Sequence, residues 1–276
     1  SGSIFNIMEL KNKQLVKLLD FAVKTVKRSE AITMKYFNKK LKHKVKENLT
    51  PVTIADMKCE KYILSQLEKH YPGHDIHAEE SGKKSSGSEF KWIIDPIDGT
   101  KNYMRRYPFW GTLMALEYQG EVVLGVIAMP SLDEFIFAAK GMGCYLNNRK
   151  VKVSKVKNVK ESYLLHGGLE YIFTQSYRSN FSNLVKQTYY DRGFGDCHGH
   201  VFVIDGRAEI MVDPFVAPYD IAATKICIEE AGGRLTDLSG NDTIYGGNAL
   251  ITNGRVHDSV LKILNENLES REITKV

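Results

Sequence analysis

The sequence is poor in cysteine, in long apolar runs and in low-complexity stretches, and each shortage removes a class of protein. Its four cysteines, Cys59, Cys144, Cys197 and Cys227, are widely spaced and form no C-x-x-C pair. That argues against a disulfide scaffold or a zinc knuckle and fits a reducing cytoplasm. No apolar run approaches the ~18 residues that cross a bilayer, and the opening SGSIFNIMEL lacks the basic region and apolar stretch of a signal peptide. Neither a repeat nor a linker-like segment interrupts the 276 residues, of which 43% are hydrophobic and 26% charged. This is the composition of an ordinary globular chain, long enough for a full core.

Acidic residues are scarce near the N-terminus. Between Lys11 and Lys46 the chain carries eleven lysines and Arg28 against Asp20 and Glu30. A nucleic-acid or membrane patch is one reading of that excess. However, Leu15, Leu18, Leu19, Ala22, Val23 and Val26 recur at helical spacing and place the lysines on the opposite, solvated face. Nor are aromatics interleaved with the basic residues, as a single-strand binder needs. No nucleic-acid or membrane partner is expected.

Periodicity predicts helices over Lys11 to Lys39 and Ile54 to Tyr71, the second turning Met57, Ile63, Leu64 and Leu67 inward. "ENLTPVT" reads as the loop between them. Strands are expected over Trp92 to Ile94, Phe109 to Tyr118, Glu121 to Met129, Glu134 to Ala139 and Gly143 to Val153, a meander with Gln119-Gly120 as a hairpin turn. Beyond it the pattern gives a strand near Tyr163 to His166 and helices near Thr174 to Thr188 and Cys197 to Ile204. It continues with a strand Ala208 to Val212, a helix Ile221 to Ala231, a strand Ala249 to Thr252 and a helix Val256 to Leu268. Helices, then antiparallel strands, then mixed α/β suggest stacked layers of sheet and helix.

The residues with chemistry begin at "WIIDPIDGTKNY". A carboxylate directly after a buried strand is costly unless a cation neutralises it, and no Lys or Arg follows until Lys101. Asp95 and Asp98 on a proline-stiffened turn, with a backbone carbonyl between them, suit a hard cation such as Mg²⁺. The plain alternative is a turn, since Asp-Gly is a turn signal. A calcium loop is excluded, because its twelfth position from Asp95 is Arg106 and not Glu. Gly99-Thr100 opens a short helix, "TKNYMRRY", whose start reads either as a phosphate site or as a simple cap at Thr100. Two further segments carry acids of the same kind. "HAEES" sets Glu79 beside Glu80, and "APYDIAATKICIEEAGG" sets Asp220 at a helix start, where an N-cap and a metal ligand are the competing assignments.

"AEES", "WIIDPIDGTKNY" and "PYDIAATKICIEEAGG" together resemble, in order and spacing, the three signature segments of the inositol monophosphatase family of Mg²⁺-dependent, Li⁺-sensitive phosphatases. The similarity runs from "PVTIAD" to "GGRLTD". It implies an α/β (α+β) fold, a layered αβαβα sandwich. One phosphatase domain would span 1–276, with the active site between an N-terminal part, 1–153, and a C-terminal part, 154–276. It also implies two or three Mg²⁺ per site, a small phosphate monoester as substrate, and a homodimer. By resemblance, Glu79, Asp95 and the Ile97 carbonyl hold one Mg²⁺, and Asp95, Asp98 and Asp220 a second. Gly99 and Thr100 cradle the phosphate, Glu79 and Thr100 order the attacking water, and Asp56 hydrogen-bonds Thr100. Glu80 takes the second acidic position as a support.

Within the family the chain looks closest to the histidinol-phosphate phosphatase branch, on "WGTLMALEYQGEVVLGVIAMPSLDE", "GDCHGH" and "GRAEIMVDP". Asp196 stands where inositol-type members carry small neutral residues. With Asp213 it would suit an ammonium and an imidazole, while Asp98 and Asp220 would also face the substrate. A helix cap before Cys197 is the alternative role for Asp196. His198 and His200 lack metal-ligand spacing and read as helix or core residues. Tyr219 departs from the family, which usually has Trp before the third-segment Asp. Arg105 and Arg106 are open to solvent, a dimer partner or an anionic substrate. An inositol-1-monophosphatase is the nearest alternative. A bisphosphate phosphatase is disfavoured by the short "ESGKKSSGSEFKW" stretch, and an inactive binding protein by the presence of every expected ligand.

Overall fold

A computed structural model describes residues 12–37, 39, 43–45 and 51–266. Helix α1, Asn12–Phe37, and helix α2, Ile54–His70, pack side by side and are joined through a small hairpin, β1 (His43–Val45) with β2 (Pro51–Thr53). The expected ends at Lys11 and Leu268 and the loop 47–50 lie outside the described residues. Helix α2 starts at Thr53, whose hydroxyl accepts the Ala55 N–H at 3.0 Å while Asp56 Oδ2 accepts the Thr53 N–H at 2.9 Å, a reciprocal cap that satisfies donors the first turn leaves open. Its buried face is Ala55, Asp56, Cys59, Glu60, Ile63 and Leu67. Met57, expected inward, is 55% exposed because it lies about 200° round the helix from Cys59, off the i, i+4 stripe that meets the sheet.

The first sheet has eight strands in the order β10-β9-β8-β7-β6-β5-β3-β4. The meander is β5 (Phe90–Asp98), β6 (Gly111–Tyr118), β7 (Glu121–Met129), β8 (Glu134–Ala139), β9 (Gly143–Leu146) and β10 (Arg149–Val151), each antiparallel to the next. Gln119 and Gly120 both have positive φ, 51° and 86°, as a two-residue hairpin turn requires. The stretch expected as one strand from Gly143 to Val153 divides at Asn147 and Asn148, whose φ values of 47° and 65° make another such turn. Two strands absent from the sequence reading complete the sheet: β3 (Asp75–Ala78), parallel to β5, and β4 (Gly82–Lys84).

The second sheet has the order β12-β11-β13-β15-β14, from β11 (Tyr163–His166), β12 (Tyr190–Arg192), β13 (Ile210–Asp213), β14 (Arg234–Thr236) and β15 (Ala249–Thr252). The helix expected over Thr174 to Thr188 is two, α4 (Leu169–Thr174) and α5 (Arg178–Gln187). These are followed by α6 (Asp196–Ile204), α7 (Pro218–Glu230) and α8 (His257–Asn265).

Alternating side chains give each sheet two apolar faces. Trp92, Ile94, Met114, Leu116 and Val126 pack on α1 and α2, whereas Ile93, Leu113, Ile127 and Ile136 meet α6 and α7. The other face of α6 and α7 covers the second sheet through Leu165, Met211 and Ile251, whose outer residues, such as Ile210 and Leu250, pack on α5 and α8. The described residues therefore form five layers, helix pair, sheet, helix pair, sheet, helix pair, which is the expected αβαβα sandwich. Among them no helix is long and apolar enough to cross a membrane.

Candidate active site

The parallel pairing of β3 with β5 explains why acids from separate segments meet. Both strands run toward one edge of the sheet, and the pairing continues past Ala78, where the Glu79 N–H donates to the Ile94 carbonyl at 3.1 Å. Glu79 and Asp95 thus leave the sheet together. The next turn is held from α2: the Glu80 N–H donates to Glu60 Oε2 at 2.8 Å, and the Ser81 hydroxyl donates to the other Glu60 oxygen. Glu60 was not singled out from the sequence. The available signal was its position one turn after Asp56 on the buried face of α2.

Asp95 and Asp98 were expected on a turn after the strand, but they lie inside β5. The ladder to β6 slips between them, with Asp95 opposite Leu113 and Asp98 opposite Gly111. Pro96 cannot donate to the ladder, and its carbonyl is taken by the Thr112 hydroxyl at 2.8 Å. The resulting bulge turns both carboxylates to one side. Asp95 Oδ1 accepts the Ile97 N–H at 3.0 Å, and Asp98 Oδ2 accepts the Cys197 N–H of α6 at 2.5 Å. Asp220 is the third residue of α7 and not its N-cap. Helix α7 begins at Pro218, and Asp220 reaches back to accept the Ala217 N–H at 2.7 Å. One carboxylate oxygen from each of Asp95, Asp98 and Asp220 lies within 4.8 Å of the others.

Burial pushes all three carboxyls up: Asp95 and Asp98 well above the usual carboxylate range, and Asp220 to about 7. Neighbouring acids add to this, Glu79 and Asp98 acting on Asp95, Asp196 and Asp220 on Asp98, and Glu79 on Asp220. Like charges brought together in a desolvated place need a cation or protons.

Gly99 follows with φ 81°, and a Cβ there would lie 2.9 Å from the Phe109 carbonyl, so glycine alone fits the turn into α3 (Thr100–Arg105). The Thr100 hydroxyl lies 3.0 Å from the Ile97 carbonyl oxygen and 3.4 Å from Asp56 Oδ1. The expected Asp56–Thr100 pairing is present, and a second carbonyl lone pair remains at Ile97. Burial pushes the Asp56 carboxyl up to about 6 despite the bonds from Thr53.

Asp196 is not a helix cap. Gly195 occupies the cap position, while Asp196 opens α6 with φ 58° and points its side chain at α3. There Asp196 Oδ2 accepts from Asn102 Nδ2 at 3.0 Å, and the same amide donates to the Phe109 carbonyl at 2.9 Å. A non-glycine residue in this region is strained and persists where its surroundings fix it. Burial, with Asp213 adding to it, pushes the Asp196 carboxyl up to about 6. Asp213 ends β13, and its Oδ2 is 3.2 Å from His200 Nε2, while His200 Nδ1 is 3.0 Å from the Thr224 hydroxyl. His200 is thus a buried link between α6, β13 and α7.

His198 sits among aromatics, stacked on Phe109 at 4.2 Å between Phe194 and Phe202. Burial lowers its pKa to about 4. Both histidines lie on α6, buried, in the helix and core positions expected. Tyr219 is half-buried edge-on to His77 at 5.8 Å, and burial, then Asp220 and Glu79, raise its pKa. Arg105 and Arg106 are exposed.

Comparison with known proteins adds the relationship. The sequence model of the inositol monophosphatase family matches residues 14–269. A histidinol-phosphatase of Chlorobaculum parvum is 34% identical over 85% of this chain and 91% of its own length. A histidinol-phosphatase of Mycobacterium tuberculosis is 36% identical over 80% and 86%. Among solved structures, an inositol monophosphatase from Anabaena superposes with a TM-score of 0.81 at 31% identity, covering 93% of this chain and 99% of that one. The chain belongs to the inositol monophosphatase family and is a phosphoric monoester hydrolase.

Proposed function

We propose that this phosphatase is Mg²⁺-dependent and hydrolyses L-histidinol phosphate. The observation that carries the metal reading is the trio of buried Asp95 and Asp98 and half-buried Asp220, gathered within 4.8 Å, whose strongest charged neighbours are further acids. An all-oxygen set of this kind fits a hard divalent cation. Glu79, Asp95, the Ile97 carbonyl, Asp98 and Asp220 would hold two or three Mg²⁺. Bound there, the ions would neutralise charge on the phosphate dianion and make water a better nucleophile at neutral pH.

The remaining work falls to the chain. Gly99, lacking a side chain, lets the backbone approach the phosphate, and Thr100 adds a hydroxyl beside it. Glu79 and Thr100 orient the attacking water in line with phosphorus, and Asp56 fixes the Thr100 hydroxyl from behind. Residues of 1–153 supply Glu79, Asp95 and Asp98, and residues of 154–276 supply Asp196, Asp213 and Asp220, so the two parts work as one catalytic unit.

The alcohol is chosen at Asp196 and Asp213. Two carboxylates there, with Asp98 and Asp220 nearby, suit a substrate carrying an ammonium and an imidazole, each able to form charge-assisted hydrogen bonds. Asn102 holds Asp196 in place for this. Replacing Asp196 by Ala is expected to impair turnover of L-histidinol phosphate far more than that of inositol 1-phosphate. Equal losses on both would remove the reason for the preference. The second reading, an inositol monophosphatase, is favoured by the likeness to the Anabaena enzyme.

A further inference from the structure

Two aromatic rings that no step above uses lie on the segments that follow β11 and β13, the second of which ends in Asp213. Strands β11 and β13 run parallel, with Leu164 beside Ile210 and His166 beside Val212. Their C-terminal ends therefore leave the sheet side by side, the place where parallel strands of α/β sheets bind ligands. The two segments approach closely because Gly167 lacks a side chain: a Cβ there would lie 2.5 Å from Asp213 Oδ1. Tyr171, four residues after Gly167, meets the segment that follows Asp213. There it stacks on Phe215, the centroids 5.4 Å apart and the planes inclined by 16°.

The pair is exposed, Phe215 by 66% and Tyr171 by 39%. A single exposed phenylalanine is unremarkable on its own. This one stacks on a second ring and lies two residues along the chain from a carboxylate assigned to the substrate. An aromatic face beside a carboxylate is suited to a flat cation, because the ring quadrupole attracts the charge while the carboxylate accepts its N–H. Inositol, a puckered and uncharged ring of hydroxyls, offers neither a flat aromatic face to cover Phe215 nor a cation to attract it. A protonated imidazole offers both.

We infer that Phe215, braced by Tyr171, is a specificity-determining residue that covers the imidazolium ring of the substrate while Asp213 accepts a ring N–H. The inference deepens the histidinol-phosphate reading and rests on it.

The test compares wild type with Phe215→Ala, Phe215→Leu and Phe215→Trp, measuring kcat and KM on L-histidinol phosphate and on inositol 1-phosphate with Mg²⁺ present. Because Phe215 is largely exposed, all variants are expected to fold, and their melting temperatures check this. In Phe215→Ala and Phe215→Leu, the ratio of kcat/KM for L-histidinol phosphate to that for inositol 1-phosphate should fall by about three- to tenfold, the worth of one aromatic contact. The loss should appear in KM and not in kcat, and Phe215→Trp should retain the ratio. An unchanged ratio in Phe215→Ala, or full retention in Phe215→Leu, would overturn the inference while leaving the substrate reading intact. Wild-type enzyme that hydrolyses inositol 1-phosphate but not L-histidinol phosphate would overturn the substrate reading and the inference with it.

Discussion

Gly125, far from the carboxylates in sequence, sets the position of one of them. It lies in β7 between Ala115 of β6 and Ala138 of β8, a row of small residues that lets α7 approach the sheet. A Cβ on Gly125 would lie 2.7 Å from the Ala223 carbonyl oxygen, 2.7 Å from Ile226 Cγ2 and 2.8 Å from Ala223 Cα. Gly125→Ala must therefore lift α7 by about 0.7 Å to reach the 3.4 Å at which ordinary contact begins. Overpacking of this kind costs about 1–3 kcal/mol, or roughly 2–10 °C in melting temperature for a chain of this size. Ala223 is three residues after Asp220, so the same shift displaces that carboxylate. Misplacement by ~1 Å costs on the order of 10²-fold in rate, and a loss of at least tenfold in kcat/KM is expected here. Trimming Ile226 to Ala in the same chain should recover only part of the loss, because two of the three clashing atoms are Ala223 backbone. A Gly125→Ala protein with wild-type melting temperature and wild-type turnover would refute the link between sheet packing and Asp220.

The other predictions concern the site itself. Gly99→Ala forces alanine to φ 81° with its Cβ 2.9 Å from the Phe109 carbonyl. It should lose about 1–2 kcal/mol from the left-handed backbone alone, seen as a lower melting temperature together with a fall of more than about tenfold in kcat/KM. Asp220, pushed up to about 7, contributes stability to the metal-free protein that is complete below the unfolded value of about 3.9. That contribution is lost as pH rises through about 7. Metal-free Asp220→Asn should therefore gain melting temperature relative to metal-free wild type as pH goes from about 5 to about 8, the paired comparison cancelling the buried histidines. A difference that stays flat, or that reverses, would contradict the raised carboxyl. Saturating Mg²⁺ should raise the wild-type melting temperature at the upper end of that range more than that of the variant.

The meander was legible because β6, β7 and β8 alternate or run apolar between clear turns, and the sequence placed β7 and β8 at their observed limits. Strand β3 was not legible. Asp75–Ala78 is four residues with two polar ones, and it is a strand because it pairs in parallel with β5, a partner that only the folded chain supplies. The split at Asn147-Asn148 is not evident from the sequence because Cys144 to Leu146 and the alternating Val151 and Val153 read as one strand across a turn that asparagine tolerates at positive φ. At the site, the identity of the acids could be read from three motifs. The devices that hold them could not, since Glu60 acts on the turn after Glu79 and Asn102 reaches Asp196 from 94 residues away. For Asp196 the sequence offered a helix cap only as the alternative to a substrate role. Gly195 in the cap position and the bond from Asn102 remove that alternative.

The most direct test of the account is phosphate release from L-histidinol phosphate and inositol 1-phosphate, side by side, in Mg²⁺ and in EDTA, for wild type and Asp95→Asn. The account predicts release that requires Mg²⁺, is faster with L-histidinol phosphate and nearly vanishes in Asp95→Asn. Release that persists in EDTA would contradict the metal reading, and faster release from inositol 1-phosphate would contradict the substrate assignment.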